Sequence, residues 1–322
     1  MIRARGLTKS YRTRAGTIEA VRGVDIDVAA GEVVGFLGPN GAGKTTTQRM
    51  LTTLLAPTSG EATVAGHDLR ENPVQVRRHI GYVPQGGSTT PDAQVGEELV
   101  DHGRLCGLSS AESKLRGRRL ISELDLDGTW ERATQTLSGG QRRRLDIALG
   151  LINQPPLLFM DEPTAGLDPQ ARANLWRHIR RLRDDRGVTV FLTTHYLDEA
   201  DALCDRILVI DHGEIVAHGT PEALKHEVSG DAVSLSLRDR EDMAAAGAVL
   251  SAMPRAVLAR AEGHALEFSL PDAGEALPEL FAALDQAGVA LAGIEVRRPT
   301  LDDVFLSLTG RALRDDPVNT PS

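Results

Sequence analysis

The sequence predicts an α/β fold, in which an antiparallel β region precedes a parallel sheet flanked by helices and a small α+β domain follows. Two observations support this prediction. Apolar segments of strand length alternate with helical stretches from residue 32 to about residue 219, which is typical of a parallel sheet covered by helices. After residue 230 the order becomes strand, helix, strand, strand, helix, strand, which is the split βαβ pattern.

The first domain is predicted over residues 1–225. It opens with short strands at 2–7 and 19–28, the second containing an Arg-Gly break. Strands of the parallel sheet are predicted at residues 32–37, 157–160, 188–193 and 206–210. Between residues 86 and 156 the sequence shows only helix-like patterns broken by glycines, which predicts a helical insertion in the α/β core.

A small accessory domain is predicted over residues 231–310, after a boundary near residues 221–230. Its predicted strands are 232–237, 256–261, 265–270 and 289–297, and its predicted helices are 241–252 and 275–287. The polar tail, residues 314–322, contains Asp315, Asp316, Pro317 and Pro321 and is expected to be disordered.

The composition limits the classes of function. The 322 residues are 41% hydrophobic and 25% charged, which suits one large globular domain and a smaller one. Apolar runs such as 33–37 and 157–160 are too short to cross a bilayer, and we identify no secretory signal, so the cytoplasm is the expected location. The net charge of -9 argues against nucleic acid as a main partner.

Two further features are expected to be structural only. Arginine clusters fall in helical patterns, where a solvated basic face is the expectation; they are residues 116–119, 142–144 and 177–183. Cys106 and Cys204 lie far apart, and two thiols in a chain of this size predict neither a disulfide framework nor a zinc site.

A phosphate-binding loop follows the first predicted parallel strand and precedes a helix. It has the pattern GxxxxGK[ST], formed by Gly38, Pro39, Asn40, Gly41, Ala42, Gly43, Lys44 and Thr45, and Thr46 follows it. The glycines let backbone N–H groups converge on phosphate oxygens, and the helix adds its positive N-terminal end. Lys44 is predicted to reach the β- and γ-phosphates, and Thr45 to bind Mg²⁺.

Two carboxylates end the predicted strand at residues 157–160. Asp161 and Glu162 would lie at the carboxyl edge of the sheet, where ligands of α/β proteins bind. Asp161 suits Mg²⁺ and Glu162 suits a water molecule. An apolar strand that ends in Asp-Glu is common, and the phosphate loop upstream is what favours the catalytic interpretation.

A second anion site is predicted where Leu137 precedes Ser138, Gly139, Gly140 and Gln141. Ser138 is placed as the N-cap of the next helix, and the two glycines expose backbone N–H groups at its start. A plain capped helix would explain Ser138, but it would not require two glycines before a glutamine.

These motifs resemble the ABC ATPase family, whose signature is the segment LSGGQ at this spacing before Asp161. The resemblance covers about residues 1–225 and implies a P-loop NTPase core with its antiparallel β subdomain. It also implies roles for four residues: Tyr11 stacks on adenine, Gln85 contacts Mg²⁺ and senses the membrane partner, Asp168 crosses a dimer interface, and His195 contacts the γ-phosphate. Taken singly, these residues could be a packed strand aromatic, a turn residue, a helix N-cap and an ordinary histidine.

The family resemblance implies hydrolysis of MgATP by a homodimer that drives a separate integral-membrane permease from the cytoplasmic face of the cell membrane. Residues 297–310 resemble the C-terminal end of the daunorubicin/doxorubicin-resistance branch, which favours multidrug efflux and antibiotic resistance. An ATPase of translation or DNA repair is less consistent with one motor and no heptad run. A regulatory subunit without turnover is less consistent with the presence of Glu162 and His195.

Overall fold

The computed structural model describes residues 1–14, 16–228, 230–253, 256–270 and 273–310. The chain divides into two compact units, Met1–Thr220 and Pro221–Asp315. The predicted disordered tail, residues 314–322, lies outside the described residues. No helix in the described part of the chain is long and apolar enough to cross a membrane.

A six-stranded sheet forms the centre of the first unit, in the order β10-β9-β3-β8-β7-β6. The strands are β3 Val33–Leu37, β6 Ile80–Val83, β7 Leu157–Asp161, β8 Thr189–Thr194, β9 Arg206–Asp211 and β10 Glu214–Gly219. Neighbouring strands are parallel except for the β9–β10 pair. The carboxyl ends of β3, β7 and β8 therefore meet at one edge of the sheet.

The central strands are nearly continuous apolar runs because helices and a second sheet cover both of their faces. β3, β7 and β8 are buried at every position. Phe36, Phe191 and Phe159 lie on these adjacent strands, with ring centroids 5.6 Å apart in each neighbouring pair. These ring contacts pack β3, β8 and β7 against one another, and the carboxyl ends of these strands form the predicted site.

An antiparallel sheet, in the order β2-β1-β4-β5, shares its core with the central sheet. Its strands are β1 Ile2–Thr13, β2 Gly16–Val28, β4 Ser59–Val64 and β5 His67–Asp68. The predicted Arg-Gly break is an irregularity within one continuous strand: Gly23 has φ +78°, and the β1–β2 register shifts near it. Such a β-bulge bends the strand without ending it.

Seven helices of the first unit connect these strands. They are α1 Lys44–Leu51, α2 Pro73–Arg78, α3 Val95–Leu105, α4 Ser110–Glu123, α5 Gly139–Leu151, α6 Pro169–Arg186 and α7 Leu197–Leu203. The described structure has no strand between residues 86 and 156, where α3, α4 and α5 pack together. This is the predicted helical insertion.

The second unit contains a four-stranded antiparallel sheet in the order β12-β13-β11-β14. Its elements are α8 Pro221–Val228, β11 Asp231–Leu237, α9 Met243–Ala252, β12 Val257–Glu262, β13 Ala265–Leu270, α10 Ala273–Gln286, β14 Leu291–Arg297 and α11 Leu301–Thr309. The order β11-α9-β12-β13-α10-β14 is the predicted split βαβ pattern. Helices α9 and α10 pack on one face of the sheet, and α11 packs against α8.

Several elements were not predicted from the sequence, namely β4, β5, β6, β10, α11 and α8, which lies in the segment predicted as the domain boundary. β6 contains Gly81, where a Cβ would lie 2.1 Å from Gly150 O of α5. The close packing of β6 against α5 therefore requires glycine, and glycine weakens the sequence pattern of a strand. β10 alternates exposed and partly buried residues, and in β4 only Ala62 and Val64 are buried, which leaves a weak apolar signal in both strands. α11 is marked by a capping box between Thr300 and Asp303.

Candidate functional site

The phosphate loop lies between the end of β3 and the start of α1. A Cβ at Gly38 would meet Ile210 O at 2.2 Å, and one at Gly43 would meet Ala20 O at 2.6 Å. Gly43 also has φ +108°, a backbone conformation that side chains disfavour. Gly43 is the N-cap of α1 and has no side chain to cap the helix, and the start of a helix is where backbone N–H groups and the helix dipole favour an anion.

Lys44 is held within this loop. It is 5% exposed, and its Nζ donates hydrogen bonds to Gly38 O at 2.7 Å and Pro39 O at 2.9 Å. The same ammonium lies 3.8 Å from Oε1 of Glu162, which directly follows β7 and is also buried. Lys44 therefore joins the phosphate loop to the carboxyl end of the sheet.

Asp161 contacts the first turn of α1 and the neighbouring strand β8. Its Oδ1 accepts hydrogen bonds from Thr45 Oγ1 at 3.2 Å and from Thr193 Oγ1 at 2.6 Å. The parallel register pairs Asp161 with Thr193, so the position of Thr193 follows from the sheet. Thr193 Oγ1 also accepts a hydrogen bond from Glu162 N at 3.0 Å.

Three polar side chains lie around the Glu162 carboxylate. Gln85 Nε2 donates to Glu162 Oε2 at 2.7 Å. His195 Nδ1 lies 3.2 Å from Glu162 Oε1, on the same side as Lys44. The structure thus brings together four predicted site residues from four segments of the chain.

Electrostatics favour the ionised form of Glu162. Burial opposes ionisation, but the hydrogen bond and charge of His195, together with the charge of Lys44, outweigh it and lower the pKa of Glu162 below its usual value. Glu162 is therefore a carboxylate at neutral pH and can accept a proton from a water molecule.

The backbone at Glu162 is unusual. Its φ is +43°, which places a non-glycine residue in the left-handed region at a cost on the order of 1–2 kcal/mol. Residues in such conformations persist only where the surrounding structure holds them, and they cluster at functional sites. The strained residue is here the one predicted to act on water.

Magnesium fits the oxygen donors at this edge. Mg²⁺ prefers oxygen ligands and is commonly bound by one or two carboxylates with substrate phosphates and water. Asp161 and Thr45 place a carboxylate and a hydroxyl 3.2 Å apart, and the Gln85 side chain lies beside Glu162. Among the described residues, no group of three or more His, Cys, Asp or Glu side chains could hold a metal ion. Magnesium at this edge would therefore need oxygen ligands from the nucleotide and from water as well.

A second cluster surrounds the start of α5. Ser138 caps this helix: its side chain accepts from Gln141 N at 3.2 Å, and Gln141 Oε1 accepts from Ser138 N at 3.0 Å. Asp168 caps α6 and accepts from Ala171 N at 2.8 Å. An open cleft of about 450 Å³ is lined by Ser138, Gly139, Gly140, Asp168 and neighbouring residues. The lining of this cleft includes no residue of the phosphate loop.

Tyr11 lies on β1 opposite Ile18 and is 38% exposed. Lys9 Nζ lies 5.4 Å from the centroid of the Tyr11 ring. An aromatic ring with this exposure has free surface for stacking, as the prediction for Tyr11 requires.

The prediction of a solvated basic face at residues 142–144 is wrong for two of the three arginines. Arg143 is 7% exposed and Arg144 is 9% exposed, whereas Arg142 is exposed. Arg143 Nε donates to Pro163 O at 2.8 Å, and Arg144 Nη2 donates to Asp125 O at 3.4 Å. Sequence reasoning missed Arg143 and also Thr193, although Thr193 directly precedes the Thr194-His195 segment.

Comparisons with known proteins identify related families for both parts of the chain. The ABC transporter family matches residues 21–165, and the family described as ATP-binding protein DrrA1-3-like, C-terminal domain, matches residues 219–309. The daunorubicin/doxorubicin resistance ATP-binding protein DrrA of Streptomyces peucetius is 44% identical over 98% of this chain and 94% of its own length. Nod factor export ATP-binding protein I of Cupriavidus metallidurans is 40% identical over 95% of this chain and 98% of its own.

Among solved structures, the ATP-binding cassette MJ0796, in a dimeric post-hydrolysis state bound to ADP and Pi, aligns with a TM-score of 0.63 and 27% identity. The alignment covers 68% of this chain and 98% of that cassette. That cassette is therefore similar in fold to about two thirds of this chain.

Proposed function

Because the chain belongs to the ABC transporter ATP-binding family, we propose that it is the ATP-hydrolysing subunit of an exporter and drives a separate membrane permease. The observation that carries this proposal is the Glu162 carboxylate, held by Gln85, His195 and Lys44 at the end of the phosphate loop. The chain would act at the cytoplasmic face of the cell membrane through that permease.

Each residue of the site has a separate task. Lys44 and the N–H groups at the start of α1 bind phosphate oxygens. Glu162 accepts a proton from the water that attacks the γ-phosphate, while Gln85 and His195 hold its carboxylate in place. Asp161 and Thr45, with Gln85, would hold Mg²⁺, which when bound neutralises charge on the phosphate oxygens.

A homodimer would complete the site. Ser138, Gly139, Gly140 and Asp168 line a cleft separate from the phosphate loop of the same chain, and Ser138, Gly139 and Asp168 are exposed. Each cluster then serves as half of a nucleotide site, completed by the other cluster of a second copy. The dimeric cassette MJ0796 supports this arrangement. ATP that binds only the closed pair would favour closure, and hydrolysis would reopen it.

The permease would bind a groove of about 990 Å³ on the helical insertion, lined by residues of α3, α4 and adjoining loops. Its charged lining is mainly acidic and comprises Glu97, Glu98, Asp101 and Glu131 against Lys114. The loop that follows Gln85 reaches this groove, since Ser88 and Thr90 are among its lining residues. Thr90 N donates to Glu98 Oε1 at 2.7 Å, which attaches the loop to α3. A basic cytoplasmic segment of the permease fits such a surface by charge.

We expect the chain to co-purify from membranes with the product of an adjacent membrane-protein gene when the two are expressed together. Glu97 and Asp101 are exposed and one helical turn apart on α3, so reversing both charges with Glu97→Lys and Asp101→Lys should abolish co-purification. ATP binding should be unchanged in this variant. Glu61→Lys, on the exposed side of β4, is the matched control and should still co-purify.

If the parent protein remains unbound to the permease and instead binds ribosomes or DNA, the transporter proposal is wrong. If the charge-reversed variant co-purifies as well as the parent, the acidic groove is not the contact surface.

The proposed cargo is an amphipathic small molecule such as an antibiotic. The support is the match of residues 219–309 to the DrrA1-3-like C-terminal domain and the similarity to a daunorubicin/doxorubicin resistance protein. We expect deletion of the motor and permease genes to increase drug sensitivity and intracellular drug accumulation. Deletion that changes neither, but alters export of lipids or glycans, would assign a different cargo.

A further inference from the structure

Arg143 makes an unusual set of contacts from the first turns of α5. Its guanidinium is buried, and each of its hydrogen bonds goes to a backbone carbonyl. Nε donates to Pro163 O at 2.8 Å, Nη1 to Pro84 O at 2.6 Å, and Nη2 to Asp161 O at 2.9 Å and Glu162 O at 3.3 Å. A planar fork of five N–H donors suits four such acceptors, whereas a lysine ammonium has three donors on one atom.

The four carbonyls belong to two segments that meet at the catalytic carboxylate. Asp161, Glu162 and Pro163 form the exit from β7, where Glu162 has its left-handed φ of +43°. Pro84 directly precedes Gln85, whose side chain donates to Glu162 Oε2. Arg143 thus fixes the backbone that carries Glu162 and the backbone that carries one of its hydrogen-bond donors.

Asp146 anchors the other end of the Gln85 loop from the next turn of α5. Its Oδ1 accepts from Ser88 N at 3.0 Å and from Ser88 Oγ at 3.2 Å, and its Oδ2 lies 3.8 Å from Arg143 Nη1. The loop from Pro84 to Ser88 is therefore held at both ends by side chains of the helix that begins at Ser138. A displacement of α5 would break these contacts or carry the Gln85 loop and the Glu162 backbone with it.

We propose that Arg143 is a positioning residue for ATP hydrolysis, which ties the start of α5 to the backbone of Glu162 and Gln85 and so sets the geometry of their side chains. The proposal rests on the proposed role of Glu162 as the base. Arg143 acts through these residues, since its hydrogen bonds are to their backbone carbonyl oxygens and to those of the adjacent prolines. Movement of the signature segment, which a second copy would contact, is thereby coupled to the hydrolytic geometry of the same chain.

The test is a double-mutant cycle between Arg143→Gln and Glu162→Gln, measured as MgATP turnover in the full chain with its permease. Arg143→Gln alone should lower kcat roughly 10- to 100-fold, because small displacements of a catalytic group have effects of that order. KM and ATP affinity should change by less than about 3-fold. In the Glu162→Gln background, Arg143→Gln should lower the remaining turnover by less than about 3-fold, because the group it positions is gone.

Arg142→Gln is the matched control, because Arg142 is exposed on the same helix and makes only a 3.4 Å contact to Gln135 O. It should leave kcat and KM unchanged. Arg143→Lys keeps charge and most of the volume but not the fork, and should show the same non-additivity with a smaller loss. Arg143→Lys replaces Arg143→Gln in the cycle if Arg143→Gln does not fold.

Full additivity of the two substitutions would overturn the proposal, as would loss of ATP binding in both Arg143 variants, which would make Arg143 a requirement of the fold. These outcomes differ from failure of the proposed function. If Glu162→Gln alone turned over ATP at the parent rate, Glu162 would not be the base, whatever the effect of Arg143→Gln.

Discussion

Glu162→Gln is expected to lower MgATP turnover roughly 10²- to 10⁴-fold while ATP still binds, the range typical of loss of a general base. The substitution removes the negative charge that His195 and Lys44 stabilise and leaves the phosphate loop intact. Turnover and binding should therefore separate, and the MgATP-bound closed dimer should accumulate.

The glutamine can occupy the site with little rearrangement. Its carbonyl oxygen can face His195 and Lys44, where Glu162 Oε1 lies now. The amide nitrogen of the new glutamine then replaces Glu162 Oε2 and becomes a donor. It can bond to Gln85 if the Gln85 side-chain amide rotates so that its oxygen, and not its nitrogen, faces position 162. The substitution thus tests the chemistry of the carboxylate more than its packing.

The measurement is phosphate release beside size exclusion with and without MgATP, with the permease present. Glu61→Gln, an exposed glutamate on β4, is the control and should keep the parent rate. His195→Ala should resemble Glu162→Gln more than it resembles a loss of nucleotide binding. Parent-level hydrolysis by Glu162→Gln would show that another group activates the water.

The fold class was predictable because its signals are local. β3 is apolar along its whole length and β7 is apolar up to Asp161, and the phosphate loop has its own pattern of glycines, so strand, loop and helix could be placed without tertiary information. The α/β fold with its small α+β C-terminal domain is confirmed. β6 was missed because the residue that lets it pack beside α5, Gly81, removes a strand-forming side chain.

The site is harder to predict because it is assembled from distant segments. Gln85 and Glu162 are 77 positions apart, and nothing local in either segment indicates their contact. Only the family resemblance brought Gln85 and His195 to attention. Thr193 could have been found from the parallel pairing of β7 with β8, which places a hydroxyl beside Asp161.

Arg143 shows where charge patterns mislead. Three consecutive arginines on a helix indicate a solvated face, since burying a charged group is costly unless it is paired or hydrogen-bonded. In the structure, four carbonyls compensate Arg143, and these acceptors come from segments before and after α5. The sequence does not reveal such acceptors until the chain is folded.

Lys44→Ala is expected to weaken MgATP binding roughly 10- to 100-fold, because a charge-assisted hydrogen bond contributes about 1.5–3 kcal/mol. Lys44 is buried in the phosphate loop and donates to Gly38 O and Pro39 O, so its loss would remove the predicted phosphate contact together with these two hydrogen bonds, while Pro39 O would still accept from Ala42 N. Without bound nucleotide, the variant should remain monomeric in MgATP, in contrast to the dimer that Glu162→Gln accumulates.

A titration with ATP and size exclusion with and without MgATP measure the two effects of Lys44→Ala. Lys225→Ala removes a lysine that pairs with Glu222 on α8, in the second unit, and should bind ATP as the parent does. If Lys44→Ala bound ATP with parent affinity and dimerised, the phosphate loop would hold nucleotide through backbone N–H groups alone. Because Lys44 also lies 3.8 Å from Glu162 Oε1, reduced turnover with normal binding would instead assign Lys44 to the hydrolytic step.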